Sequence, residues 1–232
     1  MRILALDAST DVCAAALCDG ERWAERATIA GQQHSDLLLP MVRTLLTEAR
    51  LELSDLDGIA FGAGPGSFTG LRIACGVAQG LALGANLPIV GVATLEAMAE
   101  TARLRMGCTR VIAALDARMH EVYYAAYEHD GKCWLDRIAP SVVNPGAASR
   151  PAGDGWLGAG NGFLAYPALC QALAGTLVSW DGTIQPSAVA IGSLAGPRFA
   201  AGQGVAARDA APLYVRHRVA LTSAERAAGM RL

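Results

Sequence analysis

Three short stretches of the chain carry residue types that can do chemistry. Asp7-Ala8-Ser9-Thr10 follows the apolar run Ile3-Leu4-Ala5-Leu6. At the end of a buried strand, such a turn offers backbone N–H groups and hydroxyls to a phosphate, while the carboxylate holds Mg²⁺ through water. The same residues suit an Asx turn, in which Asp7 satisfies the backbone leaving the strand. The spacing leaves both open. Gly64-Pro65-Gly66-Ser67-Phe68-Thr69-Gly70-Leu71-Arg72 is the sharpest local motif. Gly64 and Gly66 let a backbone come close to another group, and a helix starting at Ser67 would aim free N–H donors at an anion. A plain strand-to-helix turn capped by Ser67 fits the spacing equally. The string does not match G-x-S-x-G, so Ser67 is not read as a nucleophile. The third stretch, Asp116-Ala117-Arg118, repeats the first behind a second apolar run, Ile112-Ala113-Ala114-Leu115.

Other chemistries lack their residues. The four histidines, His34, His120, His129 and His217, form no H-x-x-x-H or H-E-x-x-H pair, and no His/Cys/Asp cluster has metal-ligand spacing. Lys132 is the sole lysine and sits in an Asp-Gly turn, so a lysine-bearing phosphate loop is excluded. Cys13, Cys18, Cys75, Cys108, Cys133 and Cys170 include no C-x-x-C pair and read as reduced core cysteines. The net charge of −2 argues against a basic nucleic-acid clamp made by this chain alone. With 53% hydrophobic and 17% charged residues, the 232-residue chain can build a sizeable core. The start lacks a signal h-region, and the uncharged stretch between Arg72 and Glu96 is broken by Gln79, Asn86 and Pro88. It reads as a buried helix and strand rather than a membrane span. A cytoplasmic protein is expected.

The elements that must position these turns come in two copies. Each apolar run and acidic turn is followed by a second β-like run (12–17 and 122–127). Each then reaches an Asp-Gly hairpin turn, at Asp19-Gly20 and Asp130-Gly131, with Trp23 and Trp134 three residues beyond. In the first half, Ser35 would cap a helix carrying Leu37, Leu38, Met41, Val42, Leu45, Leu46 and Ala49, with a kink or late start at Pro40. A strand over 58–62, a helix over 67–83 stopped by Gly84, a strand over 88–92 and a helix capped by Thr94 follow. In the second half, 140–155 reads as irregular, 156–159 and 176–180 as strands, and 187–199 as a helix capped by Ser187. The expected fold is α/β, with two lobes from a duplicated βββαβα unit. They would cover residues 1–104 and 105–232 and face each other across a cleft, with the last segment packing back on the first lobe. The 68–83 helix has little polar surface, and Gly76 and Gly80 lie four apart. Beside the 37–49 helix it makes either a partner-binding patch or a helix buried within its own lobe.

Together these strings, with Gln33-His34-Ser35, Glu121-Val122-Tyr123 and Pro212-Leu213-Tyr214-Val215-Arg216, resemble the TsaB (YeaZ) family of bacterial tRNA threonylcarbamoyladenosine biosynthesis proteins. The resemblance runs along essentially the whole chain, and the Gly-Pro-Gly-Ser-Phe-Thr-Gly-Leu-Arg string carries most of its specificity. It implies an actin-like (ASKHA) fold and a non-catalytic role that scaffolds and activates the transferase TsaD together with the ATPase TsaE. The modification falls on the adenosine next to the anticodon. Where TsaD carries a His-Met-Glu-Gly-His metal motif, this chain has Thr94-Leu95-Glu96-Ala97-Met98, without either imidazole. Asp7, Ser9, Thr10, Gly64, Gly66 and Ser67 would then be vestigial phosphate loops, with no catalytic residue and no metal. The resemblance places the partner surface on the two helices: His34, Leu37, Leu38, Met41, Leu45, Leu71, Arg72, Ala74, Cys75 and Ala78. TsaD and a second copy would compete for it. Transfer RNA would be met only through the complex. No cofactor is expected to bind tightly, and ATP or ADP at the assembled complex stays open.

Two other functions compete with this one. An ATP-dependent small-molecule kinase of the same superfamily would use Asp7 and the Gly64–Gly66 loop for phosphates and Asp116 as its carboxylate across the cleft. A metallopeptidase is the poorest, for want of ligands.

Overall fold

The computed structural model describes residues 1–216; His217 and the rest of the final segment lie outside the described residues. The first half forms β1 (Arg2–Asp7), β2 (Val12–Asp19), β3 (Arg22–Ile29), α1 (His34–Ala49), β4 (Gly58–Gly64), α2 (Phe68–Ala85), β5 (Ile89–Ala93) and α3 (Thr94–Met106). The second forms β6 (Arg110–Asp116), β7 (Val122–His129), β8 (Trp134–Val143), β9 (Trp156–Ala159), α4 (Gly162–Ala165), α5 (Pro167–Ala172), β10 (Leu177–Asp181) and α6 (Ala188–Ala200). The sheets have the orders β3-β2-β1-β4-β5 and β8-β7-β6-β9-β10, so the duplication seen in the sequence is a duplication of topology. In each, the first two pairings are antiparallel hairpins and the rest parallel. The first unit is one strand and one helix longer than βββαβα. In the second, a short 3₁₀ turn at Pro145–Ala147 stands where α1 stood.

Alternation along the central strands requires cover on both faces of each sheet. Leu4 and Leu6 of β1 face a core built with α1 and α2, whereas Ile3 and Ala5 face Ala188, Ile191 and Ala195 of α6. In the second sheet, Val111, Ala113 and Leu115 of β6 face Leu95, Met98 and Ala102 of α3. Ile112 and Ala114 face Phe163 and Leu169 on the other side. The last helix of each half therefore crosses to the sheet of the other half. The two crossed helices meet where Thr101 Oγ1 accepts from the Ser187 amide (3.1 Å) and Arg198 forks onto Glu96 (2.6 and 2.7 Å). Glu100, buried on α3, accepts from two guanidinium nitrogens of Arg103, Nε and Nη2 (2.7 Å each), and from the Trp134 indole N–H (2.9 Å), which ties α3 to β8.

Several local expectations change. Gln33, not Ser35, precedes α1; Ser35 lies exposed inside the helix, where its hydroxyl turns to Asp36. Pro40 sits within α1 without delaying its start, because the carbonyl it leaves unpaired, that of Asp36, is on the solvent side. Gly84 does not stop α2; Asn86 does, in the left-handed conformation that asparagine tolerates. Thr94 is the first residue of α3 rather than its cap, and its hydroxyl is buried without a partner among the described residues. β8 runs through Val143, into the stretch expected to be irregular. Ser67 and Ser187 do cap, accepting from the amides of Gly70 and Ala190. Cys13, Cys18 and Cys75 are buried, Cys108 and Cys170 are half-buried, and Cys133 is exposed on a hairpin. By length and hydropathy alone α2 could cross a membrane, but its inner face packs in the first core with α1 and β4.

Ile191 anchors α6 in the first sheet's core and is fully buried. Ile191→Ala should cost about 2–5 kcal/mol, read as a lower urea midpoint in a single unfolding transition that involves both halves.

Candidate functional site

The acidic turn and the glycine-rich loop of the first half are closed onto each other. The Ser67 amide donates to the Ser9 carbonyl at 2.8 Å. A Cβ at Gly66 would stand 2.2 Å from that carbonyl oxygen, and one at Gly70 would stand 1.8 Å from the Ala8 oxygen. Only glycine allows such an approach, because the obstacle is backbone and cannot swing aside. The Ser67 hydroxyl accepts from the Gly70 amide at 3.3 Å. Two donors of the expected anion seat are thus already satisfied by the protein.

Asp7 does not face the cleft. It is fully buried at the end of β1 and accepts from the Ser9 amide (3.3 Å) and the Ser9 hydroxyl (3.1 Å), as in the Asx-turn alternative. A Cβ at Gly62 would stand 2.1 Å from its Oδ1, so β4 passes directly over the carboxylate. Burial is the main cause that pushes its pKa up to about 7, against the lowering effect of the Ser9 hydrogen bonds.

Between the halves lies a cleft of about 850 Å³. Its first wall holds Ser9, Thr10, Asp11, Gln32, His34 and the residues from Gly66 to Gly70. Its second holds Asp116, Ala117, Arg118, Tyr123, Asn161 and Arg216. Of the six expected phosphate-loop residues, Ser9, Thr10, Gly66 and Ser67 line the cleft and Asp7 and Gly64 do not. Gly64, at φ 121°, lies under the carbonyl of Leu213 instead. Asp116 is placed differently from its counterpart Asp7. It is half-exposed, accepts from the Tyr166 hydroxyl and the Arg118 amide at 2.8 Å each, and lies 3.4 Å from the Arg118 guanidinium. Its own amide donates to Asn161 Oδ1 at 2.9 Å. The turn that follows is strained: Arg118, Met119 and His120 all have φ between 55° and 62°. Three consecutive side-chain-bearing residues in that region are costly.

Asn161, Tyr166 and Arg216 are functional candidates that motif reading missed. The signal for Asn161 was present. Gly158-Ala159-Gly160-Asn161-Gly162-Phe163 echoes Gly62-Ala63-Gly64-Pro65-Gly66-Ser67-Phe68, and Gly160 (φ 109°) repeats the backbone of Gly64. Each half therefore sets an acidic turn beside a glycine-rich strand end.

The partner-surface residues divide. Leu38, Leu45, Leu71, Ala74, Cys75 and Ala78 are buried within their own lobe, whereas His34 lies at the cleft wall with Nε2 held 3.0 Å from the Thr10 carbonyl. They cannot form a surface, because helical periodicity marks an apolar stripe without saying which partner covers it. Leu37 and Met41 are half-buried and Arg72 is exposed. The outward side of the helix pair is instead Leu39 on α1 with Phe68, Arg72, Gly76, Gly80 and Leu83 on α2.

Two matching five-stranded sheets, joined by crossed helices and facing each other over a cleft, define an actin-like (ASKHA) α/β protein. Component A of the (R)-2-hydroxyglutaryl-CoA dehydratase of Acidaminococcus fermentans shares this fold (TM-score 0.51, 10% identity, 87% of this chain and 99% of that one). The model of the family "TsaD: tRNA N6-adenosine threonylcarbamoyltransferase" matches residues 27–162. The tRNA threonylcarbamoyladenosine biosynthesis protein TsaB of Escherichia coli is 41% identical over 95% of this chain and 96% of its own length. That of Haemophilus influenzae is 33% identical over 94% and 95%. YeaZ from Pseudomonas aeruginosa superposes with a TM-score of 0.85 at 40% identity, covering 92% and 99%. The chain belongs to the TsaB (YeaZ) family.

A carboxyl whose folded-state pKa is raised binds its proton more tightly folded than unfolded, so its contribution is favourable at low pH and is lost as pH rises towards about 7. Asp7→Asn should remove that loss. The variant's stability relative to the parent should rise between pH 4 and pH 7 and stay higher above, by chemical denaturation at each pH. A constant difference would show that Asp7 is already ionised throughout.

Proposed function

We propose that this chain is a non-catalytic subunit in the formation of threonylcarbamoyladenosine on tRNA, holding and activating a TsaD-type transferase together with the ATPase TsaE. Family membership supplies the pathway. The observation that carries the non-catalytic role is a contrast between the inherited site and the outer helix face. In the site, Asp7 is roofed by β4, and the loops that would hold phosphate bond to each other. At the stretch corresponding to the transferase's metal motif, Thr94 and Met98 are fully buried, and Glu96 is taken by Arg198. The kinase alternative needs Asp7 in the cleft and gains nothing from this arrangement.

The outer face of α2 supports the partner role. Gly76, Gly80 and Gly84 recur every four residues on its exposed side, and among the described residues nothing lies within 4 Å of where their Cβ atoms would be. Each glycine weakens a helix by about 1 kcal/mol relative to alanine, and no contact among the described residues requires any of them. Close approach by another helix does. Exposed Leu39, Phe68 and Leu83 flank the stripe and supply apolar area. A second copy of the chain and the transferase would compete for this face. Transfer RNA is engaged through the assembly, nucleotide is held at the assembled complex if at all, and the work belongs to the cytoplasm.

In a reconstitution with transferase, ATPase, adenylate donor and tRNA, omitting this chain should abolish modification; full-rate modification without it would refute the proposal. Gly80→Arg, at an open position, should weaken pairing with the transferase by roughly 2 kcal/mol or more, read by titration calorimetry, while the thermal midpoint stays the same or rises, since arginine favours the helix over glycine. Leu38→Asp and Ala74→Asp would unfold the lobe rather than test the face, since both residues are core.

A further inference from the structure

Residues 205–216 run as a strap from the first lobe to the second, and its two ends are held very differently. On the first lobe the hold is mostly main chain. Val205 and Ile89 exchange two backbone hydrogen bonds (2.8 and 2.9 Å), the Leu213 amide donates to the Ala63 carbonyl (2.7 Å), and the Gln79 side chain donates to the Ala210 carbonyl (3.0 Å). Toward the second lobe, the strap's last residues stand over β8 across a cavity of about 550 Å³. Among the described residues, the grip there is one side chain. Arg216 meets the Glu121 carboxylate at 2.6 Å, approaches the Met119 sulfur at 3.6 Å, and lies over the Tyr123 ring. Met119 belongs to the strained left-handed turn, and Glu121 closes it: the Ala117 amide donates to the Glu121 carbonyl and the Glu121 amide to the Arg118 carbonyl. Two residues before Arg216, Tyr214 packs on the Phe68 ring (5.6 Å between centroids) and accepts from Arg72 Nε (3.2 Å). Phe68 and Arg72 open the outward face of α2.

We infer that the strap is a latch between the lobes, gripping the strained turn at the cleft mouth through Arg216 and connected through Tyr214 to the outer face of α2. Among the described residues, a main-chain attachment on one side and one charged hook on the other let the strap move with the first lobe, while the cleft mouth can widen about the α3–α6 crossing once the hook is lost. Backbone strain in the turn favours that release, and the Arg216–Glu121 pair opposes it. Cover laid over Phe68 and Arg72 fixes Tyr214, and with it the hook, so docking on α2 sets the aperture of the cleft. The latch itself rests on geometry within this chain. Only the identity of what docks rests on the proposed function, and the test below needs no partner.

The experiment is residue-resolved amide exchange on the isolated full chain. Arg216→Glu and Glu121→Arg, each alone, should speed exchange of the Ala117 and Glu121 amides by about fivefold, the scale of a partly exposed ion pair. The double charge swap should restore the slow rates, and the Leu213 amide should stay as protected as in the parent. Tyr214→Ala, which does not touch the turn, should also speed the same two amides. Unchanged rates in the single variants, failure of the double swap, or loss of protection at Leu213 together with the turn would overturn the latch. Unchanged rates in Tyr214→Ala would overturn its connection to α2. If either charge reversal lowers the thermal midpoint, Arg216→Gln gives the same reading.

Discussion

The crossing of α3 and α6 between the two sheets is the constraint on which the rest of the molecule depends. A five-stranded sheet with apolar residues on both faces cannot be left bare on one side, because each uncovered leucine or isoleucine would forgo about 1.5–3 kcal/mol of burial. Here α1 and α2 cover one face of the first sheet, and the other is covered by a helix from the far end of the chain. The second sheet borrows α3 in the same way. Neither lobe is complete without the other. Cutting the chain between residues 104 and 105 would fall in the last turn of α3 and part both sheets from a helix they need.

That interlock fixes what the facing turns can do. β1 and β6 end at the cleft with equivalent aspartates, yet their surroundings have diverged. In the first lobe, glycines at 62, 66 and 70 draw the backbone in until Asp7 is enclosed and the Ser67 donor is satisfied. Burial there raises the carboxyl's pKa, because it disfavours the charged form. In the second lobe, Asp116 keeps an arginine, a tyrosine and an asparagine around it and remains open to the cleft. Duplication thus left one enclosed turn and one polar, strained turn. The strap binds to the first lobe by main chain and reaches the second at the strained turn.

The outer face of α2 follows from the same economy of cover. Its inner residues are committed to the first core, whereas among the described residues Gly76, Gly80 and Gly84 on its outer side meet nothing within 4 Å, and Phe68 meets Tyr214.

Much of this was legible in the sequence. The paired apolar runs, the two Asp-Gly hairpins, the caps at Ser67 and Ser187 and the glycine-rich string each rest on chemistry within a few residues, and local chemistry survives folding. The third-strand and hairpin repeat gave the two sheets, and the Gly158–Phe163 echo would have given Asn161 as well. Distance in the chain hid the rest. No periodicity in 94–106 or 188–200 says which sheet a helix will cover, and none in 35–83 says that Leu38 and Ala74 face inward while Gly76 and Gly80 face out. The fate of Asp7 was equally out of reach, since its burial depends on Gly62 of a strand more than fifty residues later in the chain. The sequence by itself determined the elements and their duplication, because backbone preference and apolar spacing act locally. Only the tertiary structure decided which helix covers which sheet, which aspartate meets water and which side of α2 faces out, because burial is settled by residues brought together from opposite ends of the chain.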